Sequence, residues 1–172
     1  MISSEQRRLI LQLGQVPGRP KPDKSVFLQR WGVLFGEEEG GPLGLRLLRQ
    51  AVDAKSQVDV ELALMVCSSF GYSEAHLALL LLLAETDWHH SHEDVAWMLG
   101  IIGNAKAVPD LVHLATWVPD YLEWDDARAL GVKAVWSLYK IHSDSARKAL
   151  EGLAVDPNEL ISKNAKERLQ NW

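Results

Sequence analysis

The sequence predicts an all-α fold, an α-solenoid in which antiparallel helix pairs stack as about four units and a C-terminal helix caps the array. The main observation is that the segments 95–115 and 134–154 share their apolar positions when they are aligned, with Leu99 on Leu138 and Leu111 on Leu150. A fainter copy lies upstream, where Cys67 takes the place of Leu99. A period of about 30 to 40 residues with two helical patterns per unit is typical of stacked repeats. No stretch of useful length alternates as a strand would.

We expect one repeat domain over residues 1–172. Its predicted parts are a basic N-terminal helix with a proline-rich linker (1–24), four units (25–56, 57–90, 91–126 and 127–156) and a capping helix (157–172).

The N-terminal part supports this division. Residues 3–14 are expected to form a short helix with apolar Ile2, Leu9, Leu11 and Leu13. The segment VPGRPKPD (16–23) cannot continue that helix, and Asp23 or Ser25 can cap the next one. The first unit then has a helix with Val26, Phe27, Trp31, Leu34 and Phe35, a turn at EEEGGP (37–42), and a helix with Leu43, Leu47, Leu48 and Val52.

Turn and capping residues mark the later units. Turns are predicted at 71–73, where Ser73 starts a helix, at 103–104 and at 142–144. Ser91 is expected to cap the third unit, with Glu93 and Asp94 favouring the helix N-terminus. Pro157 suits the first turn of the last helix. Ile161, Ala165 and Leu169 of that helix would cover the open end of the array.

The third unit, VAWMLGIIGNAKAVPDLVHLA, resembles a HEAT repeat and is similar to the short bacterial type also found in phycobilin lyases. The matching positions are Ala96, Leu99, Ile102, Gly103, Ala107, Pro109, Leu111 and Leu114. The resemblance covers roughly residues 57–172 and is weak in the first unit. It implies the solenoid fold and, because such arrays mostly serve as scaffolds, a binding function.

Charge and composition narrow the partner and the location. Residues 1–24 contain five basic and two acidic residues, a net charge of +3, so the rest of the chain carries −8. A basic protein partner is therefore favoured over nucleic acid, which usually requires a basic face. The longest apolar run, Leu77–Ala84, is too short to cross a membrane, and the N-terminus has no signal-peptide pattern. With a single, core-positioned cysteine, Cys67, we expect a cytoplasmic protein with an inert thiol.

One cluster has a metal-like composition: His89, His90, His92 and Glu93. The placement resembles the His-Glu pairs of deoxyhypusine hydroxylase, a HEAT enzyme that holds two irons. Such a site needs pairs from several repeats, and the equivalent positions are Val60 with Glu61 and Gly131 with Val132. We therefore expect a solvated, helix-capping turn with no metal and no cofactor. No phosphate loop or nucleophile motif is present, and no catalytic residue is predicted.

An insertion between the third and fourth units is the main candidate site. The spacing from Leu99 to Leu138 is seven residues longer than the spacing from Cys67 to Leu99. The seven extra residues lie within TWVPDYLEWDD (116–126). This segment contains four acids and three aromatic residues without a basic residue: Trp117, Asp120, Tyr121, Glu123, Trp124, Asp125 and Asp126. It is either a binding surface for a basic partner or a solvated linker whose aromatic side chains pack on neighbouring helices.

Further candidates lie between the core leucines of the second helices, on the expected concave face. The partner-binding positions predicted there are Leu81, Glu85, Asp110 and His113, next to Trp117. The run LALLLLLA (77–84) is either covered on both sides or adds Leu77, Leu80 or Leu81 to an interface. Trp31 and Trp136 are expected in the core.

Together these features predict a non-enzymatic protein-binding module. Its most concrete form is a bacterial immunity protein that binds a toxin domain with a basic surface. The alternatives are a general HEAT scaffold or adaptor and, in a different class, a HEAT-type enzyme or bilin-lyase-like factor.

Overall fold

The computed structural model describes residues 1–14, 23–32 and 40–172. The linker before Asp23, Leu34, Phe35 and the three glutamates of the predicted turn at 37–42 lie outside the described residues. The described part of the chain contains helices and no strand, so the predicted all-α class is confirmed. Its helices are α1 (Ser4–Leu11), α2 (Lys24–Trp31), α3 (Gly40–Asp53), α4 (Gln57–Phe70), α5 (Leu77–Ala84), α6 (His92–Ile102), α7 (Val108–Thr116), α8 (Ala129–Ile141), α9 (Asp144–Leu153) and α10 (Glu159–Gln170).

The chain divides into two compact units, Met1–Leu79 and Leu80–Trp172, with the boundary inside α5. Among the described residues, none of the helices combines the length and apolarity needed to span a membrane.

The first compact unit, Met1–Leu79, begins with two capped helices. Ser3 and Gln6 form a capping box at α1, and the carboxylate of Asp23 accepts hydrogen bonds from the backbone at the start of α2. Ile10 is buried in α1, whereas Leu11, which we expected on the apolar face, is exposed. In α2, the ring of Phe27 is buried against Phe70 of α4.

The pair α3 and α4 packs closely because Gly44 has no side chain. A Cβ atom on Gly44 would lie 2.9 Å from the Sγ atom of Cys67. Cys67 is fully buried, and burial raises the pKa of its thiol to about 12, which keeps it protonated and inert. Helix α3 starts at Gly40, so residues 40–42 are helical instead of belonging to the predicted turn.

Helix α8 is central to the packing of the second compact unit, Leu80–Trp172. It contacts α6, α7, α9 and α10, and α9 also contacts α7 and α10. In the predicted repeats, α6 and α8 are first helices, and α7 and α9 are second helices. Gly100 makes the contact between α6 and α8 possible, since a Cβ there would lie 2.6 Å from Cβ of Ser137. Four of the five residue pairs that the alignment of the third and fourth repeats places in the core are buried: Leu99 and Leu138, Ala107 and Ala146, Leu111 and Leu150, Leu114 and Leu153. In the fifth pair, Ile141 is buried and Ile102 is half-buried.

The register that aligns Cys67 with Leu99 holds only for the first helices. Val60, Ala63 and Cys67 of α4 are buried like His92, Val95 and Leu99 of α6. In the second helices the buried positions match in a register that is shorter by one: Leu77, Leu80, Leu83 and Ala84 correspond to Val108, Leu111, Leu114 and Ala115. The turn after α4 is therefore longer by one residue than the turn after α6. Consequently the exposed leucine of α5 is Leu82, at 48% exposure, and not Leu77 or Leu80.

Two tryptophans at equivalent repeat positions lie under cations. Lys140 Nζ is 3.4 Å from the ring centroid of Trp97, and the Arg168 guanidinium carbon is 3.7 Å from that of Trp136. Trp136 is 39% exposed, so its predicted core position is wrong. Pro157 precedes the capping residue of α10, Asn158, instead of occupying the first helical turn.

Candidate functional site

The connection between α7 and α8, here named the 117–128 loop, contains the seven insertion residues that the sequence singled out. The structure divides them into two groups. Trp117, Tyr121 and Asp125 are partly buried, whereas Asp120, Glu123, Trp124 and Asp126 are exposed. Trp124 is 89% exposed, the most of any tryptophan in the described residues. One side of the loop therefore packs on the protein and the other presents an indole among three carboxylates.

The C-terminal end of the loop is fixed to both flanking helices. Asp125 Oδ2 accepts a hydrogen bond of 2.6 Å from the backbone N–H of Ala129, the first residue of α8. The guanidinium of Arg128 donates to the carbonyl oxygens of Ala115 and Thr116 at the end of α7, at 3.4 and 3.1 Å. These bonds satisfy backbone groups that helix ends leave unpaired. Asp125 therefore has a structural role at the start of α8, whereas the other three acids of the segment are exposed.

The middle of the loop is held by a hydrogen bond between Tyr121 and His92. His92 Nε2 lies 2.7 Å from the carbonyl oxygen of Thr86, which can only accept, so Nε2 carries the proton. In the neutral ring Nδ1 is then an acceptor, and the Tyr121 hydroxyl donates to it over 2.9 Å. Burial raises the pKa of Tyr121, which stays protonated as this donor role requires.

His89 stacks on His92 and is itself held by two hydrogen bonds to the backbone. Its Nε2 donates to the carbonyl oxygen of Leu83 at 2.8 Å, and its Nδ1 accepts from the backbone N–H of Ser91 at 3.1 Å. The two imidazole rings are stacked with centroids 4.1 Å apart, and both are fully buried. The predicted solvated turn is therefore wrong for these two residues, here named the histidine pair. Ser91 occupies the predicted capping position of α6, but its side chain makes no capping hydrogen bond.

Burial also fixes the charge state of the histidine pair. It lowers the pKa of His89, and it lowers that of His92 to about 4. All four ring nitrogens are engaged in hydrogen bonds, so a metal ion would have to break at least one of them to find a lone pair. In the described part of the chain, no group of three or more His, Cys, Asp or Glu residues is placed to hold a metal.

A row of stacked rings connects the loop to α7. His113 stacks on Trp117 with centroids 5.1 Å apart, and the rings of His92 and Trp117 are nearly perpendicular with centroids 4.9 Å apart. Tyr121 stacks with the exposed His90 at a centroid distance of 4.2 Å and with His92 at 5.7 Å. Of the predicted candidates, the structure thus brings His113, Trp117 and Tyr121 together.

Acidic residues extend the site along α7. Burial raises the pKa of Asp110, and the negative charge of Glu85 raises it further. These two predicted residues therefore lie close enough to interact. Leu81, also predicted, is half-buried, and the corrected register gives the exposed position to Leu82.

Sequence reasoning missed the role of His92, although a signal for it existed. His92 is equivalent to Val60 and Gly131 in the repeat register, and both of these residues are buried. A histidine at a core position indicates a hydrogen-bonded, buried ring and not a solvated cap.

Comparisons of the chain with protein-family models, curated proteins and solved structures found no match.

Proposed function

We propose that this protein is a non-enzymatic binding module and that the 117–128 loop contacts a basic protein partner. The observation that carries the proposal is Trp124, which is 89% exposed on a loop held at its middle and its C-terminal end. Tryptophan is enriched among the residues that dominate binding energies. A loop that is already ordered loses little conformational entropy on binding.

The negative charge of the 117–128 loop supports a partner with a basic surface. Asp120, Glu123 and Asp126 are exposed beside Trp124, and the only basic residue of the loop, Arg128, donates inward to α7. The whole chain carries −5. Complementary charge accelerates association, while the central aromatic contact determines how slowly the complex dissociates.

The helix packing supports a HEAT-like α-solenoid as the scaffold. In the second compact unit, the first helices α6 and α8 pack together and the second helices α7 and α9 pack together, as stacked repeats require. Insertions between such repeats become loops on one face, often the binding face. Under this proposal the 117–128 loop is such an insertion.

The most specific form of the proposal is that the partner is a bacterial toxin domain with a basic surface, which this protein neutralises in the cytoplasm. Its support is the acidic loop together with the resemblance of the sequence to short bacterial HEAT repeats. The identity of the partner decides between this form and a general adaptor.

The test begins with a photo-crosslinking residue at Val118, an exposed position of the loop that leaves Trp124 intact. The protein crosslinked in the source cells is identified and produced, and its binding is titrated at two salt concentrations. We expect Trp124→Ala to weaken binding by about 2 kcal/mol, near thirtyfold. The variant Asp120→Asn/Glu123→Gln/Asp126→Asn should slow association and reduce its salt dependence.

A charge-matched control separates the local effect from net charge. Asp53→Asn/Glu61→Gln/Glu151→Gln removes three exposed acids outside the loop and should leave the association rate much less affected. Equal rates for the two triple variants, together with unchanged affinity for Trp124→Ala, would show that the partner binds elsewhere.

A further inference from the structure

We infer that the histidine pair is a proton-sensitive restraint on the 117–128 loop: the neutral rings hold the loop in its binding arrangement, and protonation releases it. This inference rests on the proposed function, because it assigns regulation to the same surface. It is carried by the hydrogen bonds of His89, which admit only the neutral ring, and by the contacts that join His89 through His92 to the loop.

His89 shows the constraint most clearly. Its Nδ1 accepts the N–H of Ser91 at 3.1 Å while its Nε2 donates to Leu83. A second proton on the ring would have to lie on Nδ1, where it would point at another N–H. The turn that places His92 would then have to open. Because His92 is stacked on His89 at 4.1 Å and bonded to Tyr121, such an opening reaches the loop.

Protonation of His92 also disfavours the closed arrangement of the loop. A proton on its Nδ1 would face the hydroxyl hydrogen of Tyr121, so the hydroxyl would have to reverse and the ring would carry a buried charge. The edge contact of His92 with Trp117 means that the same ring touches the loop at two points.

Ionisable groups near His92 also lower its pKa. His89 and His90 on its own connection and His113 on α7 each lower the pKa of His92, after the larger effect of burial. The acids Glu93 and Asp94 raise the pKa of Tyr121, after the larger effect of burial. Lys133 of α8 pairs with Glu93 at 2.7 Å and so offsets one of these acids.

The pH window follows from the pKa values. His92 has a pKa of about 4 in the closed structure, against an ordinary value of 6.5 when the ring is released. The restraint is therefore complete above pH 6.5 and weakens as the pH falls toward 4. From His92 alone, with allowance for partial solvent screening, we expect the equilibrium constant for loop opening to rise about fivefold between pH 7.5 and 5.5.

Hydrogen exchange on the free, full-length protein tests this without a partner. The probe is a peptide covering 117–128, with its exchange corrected for the intrinsic pH dependence of the amide reaction. Its protection should fall about fivefold between pH 7.5 and 5.5, whereas a peptide covering the connection between α6 and α7 should not change. Equal protection of the loop peptide at both pH values would overturn the inference.

Two further measurements keep the test decisive. Side-chain nitrogen NMR should show both His89 and His92 as neutral Nε2–H rings at pH 5.5, and a charged ring in the closed structure would contradict the inference. Tyr121→Phe should raise loop exchange at pH 7.5 and reduce the pH effect, whereas Tyr139→Phe, which removes a bond to Asn171, should do neither. Because no partner is involved, a pH-insensitive loop that still binds rejects only the restraint, and a pH-sensitive loop that binds nothing rejects only the proposed function.

Discussion

Two neighbouring aspartates of the 117–128 loop have different roles because of where each side chain points. Asp125 accepts hydrogen bonds from the backbone of Ala127 and Ala129, while Asp126 is exposed and offers its carboxylate to solvent. The sequence places both in one acidic run and cannot separate them. Between the two residues that donate to Asp125, the backbone of Arg128 is left-handed, with φ of 52°.

Replacing each aspartate with alanine should reveal this difference. Asp125→Ala removes two hydrogen bonds at the start of α8 and should lower the free energy of unfolding by about 1 to 2 kcal/mol. Asp126→Ala changes only exposed surface and should stay within about 0.5 kcal/mol. Urea unfolding of the two variants measures this. Equal effects would mean that the Asp125 bonds do not contribute to stability.

Helix positions follow from the repeat register, whereas helix ends depend on local contacts that the register does not contain. The register that places Leu99 on Leu138 correctly predicts the buried leucine pairs of α6 to α9, but Ile102 is only half-buried and Trp136 is exposed. Tyr72, the additional residue in the turn after α4, shifts the second-helix register by one position and moves the exposed position to Leu82. The apolar run of α5 hides this change because every residue of 79–83 is leucine.

For the candidate site, the sequence predicts the location but not the role of each side chain. The insertion and its composition are visible in the sequence, and so are the neighbouring Asp110 and His113. The inward roles of Tyr121 and Asp125 depend on hydrogen bonds to His92 and Ala129, which no pattern of residue types specifies. Spacing therefore locates this loop, and only three-dimensional structure shows which of its side chains face outward.

Glycine packing between α6 and α8 gives a prediction for these elements. Gly100→Ala would place a methyl group 2.6 Å from Cβ of Ser137, so α6 and α8 would have to separate, and we expect a loss of about 1 to 3 kcal/mol. Gly152→Ala in α9 meets no atom within 4 Å and should stabilise the protein by about 0.5 kcal/mol through helix propensity. Thermal unfolding followed by circular dichroism distinguishes the two. If Gly100→Ala were as stable as Gly152→Ala, close packing at Gly100 would be ruled out.

At the scale of the whole molecule, both compact units contain buried histidines that burial keeps neutral. They are His76 in the first unit and the histidine pair in the second. Burial lowers the pKa of each, so the unfolded chain binds protons at a higher pH than the folded protein. Two carboxyl groups act in the opposite sense: burial raises the pKa of Asp94 and Asp110. Because unperturbed carboxyl groups titrate near pH 4, the interval between pH 7.5 and 5.5 reports mainly on the histidines.

We therefore expect the free energy of unfolding to fall as the pH is lowered from 7.5 to 5.5. Above pH 6.5 a histidine with a lowered pKa is neutral in both states and does not change the free energy of unfolding. Below that pH the unfolded chain becomes protonated while the folded protein does not, so the free energy of unfolding falls. His92 alone should contribute about 1 kcal/mol over this interval after allowance for solvent screening, and His76 and His89 should add to it. Urea unfolding at pH 7.5, 6.5 and 5.5 measures the slope. In the same measurements, His92→Gln should reduce the slope relative to the unsubstituted protein. A free energy that stays constant or rises toward pH 5.5 would show that the buried rings do not remain neutral in the folded protein.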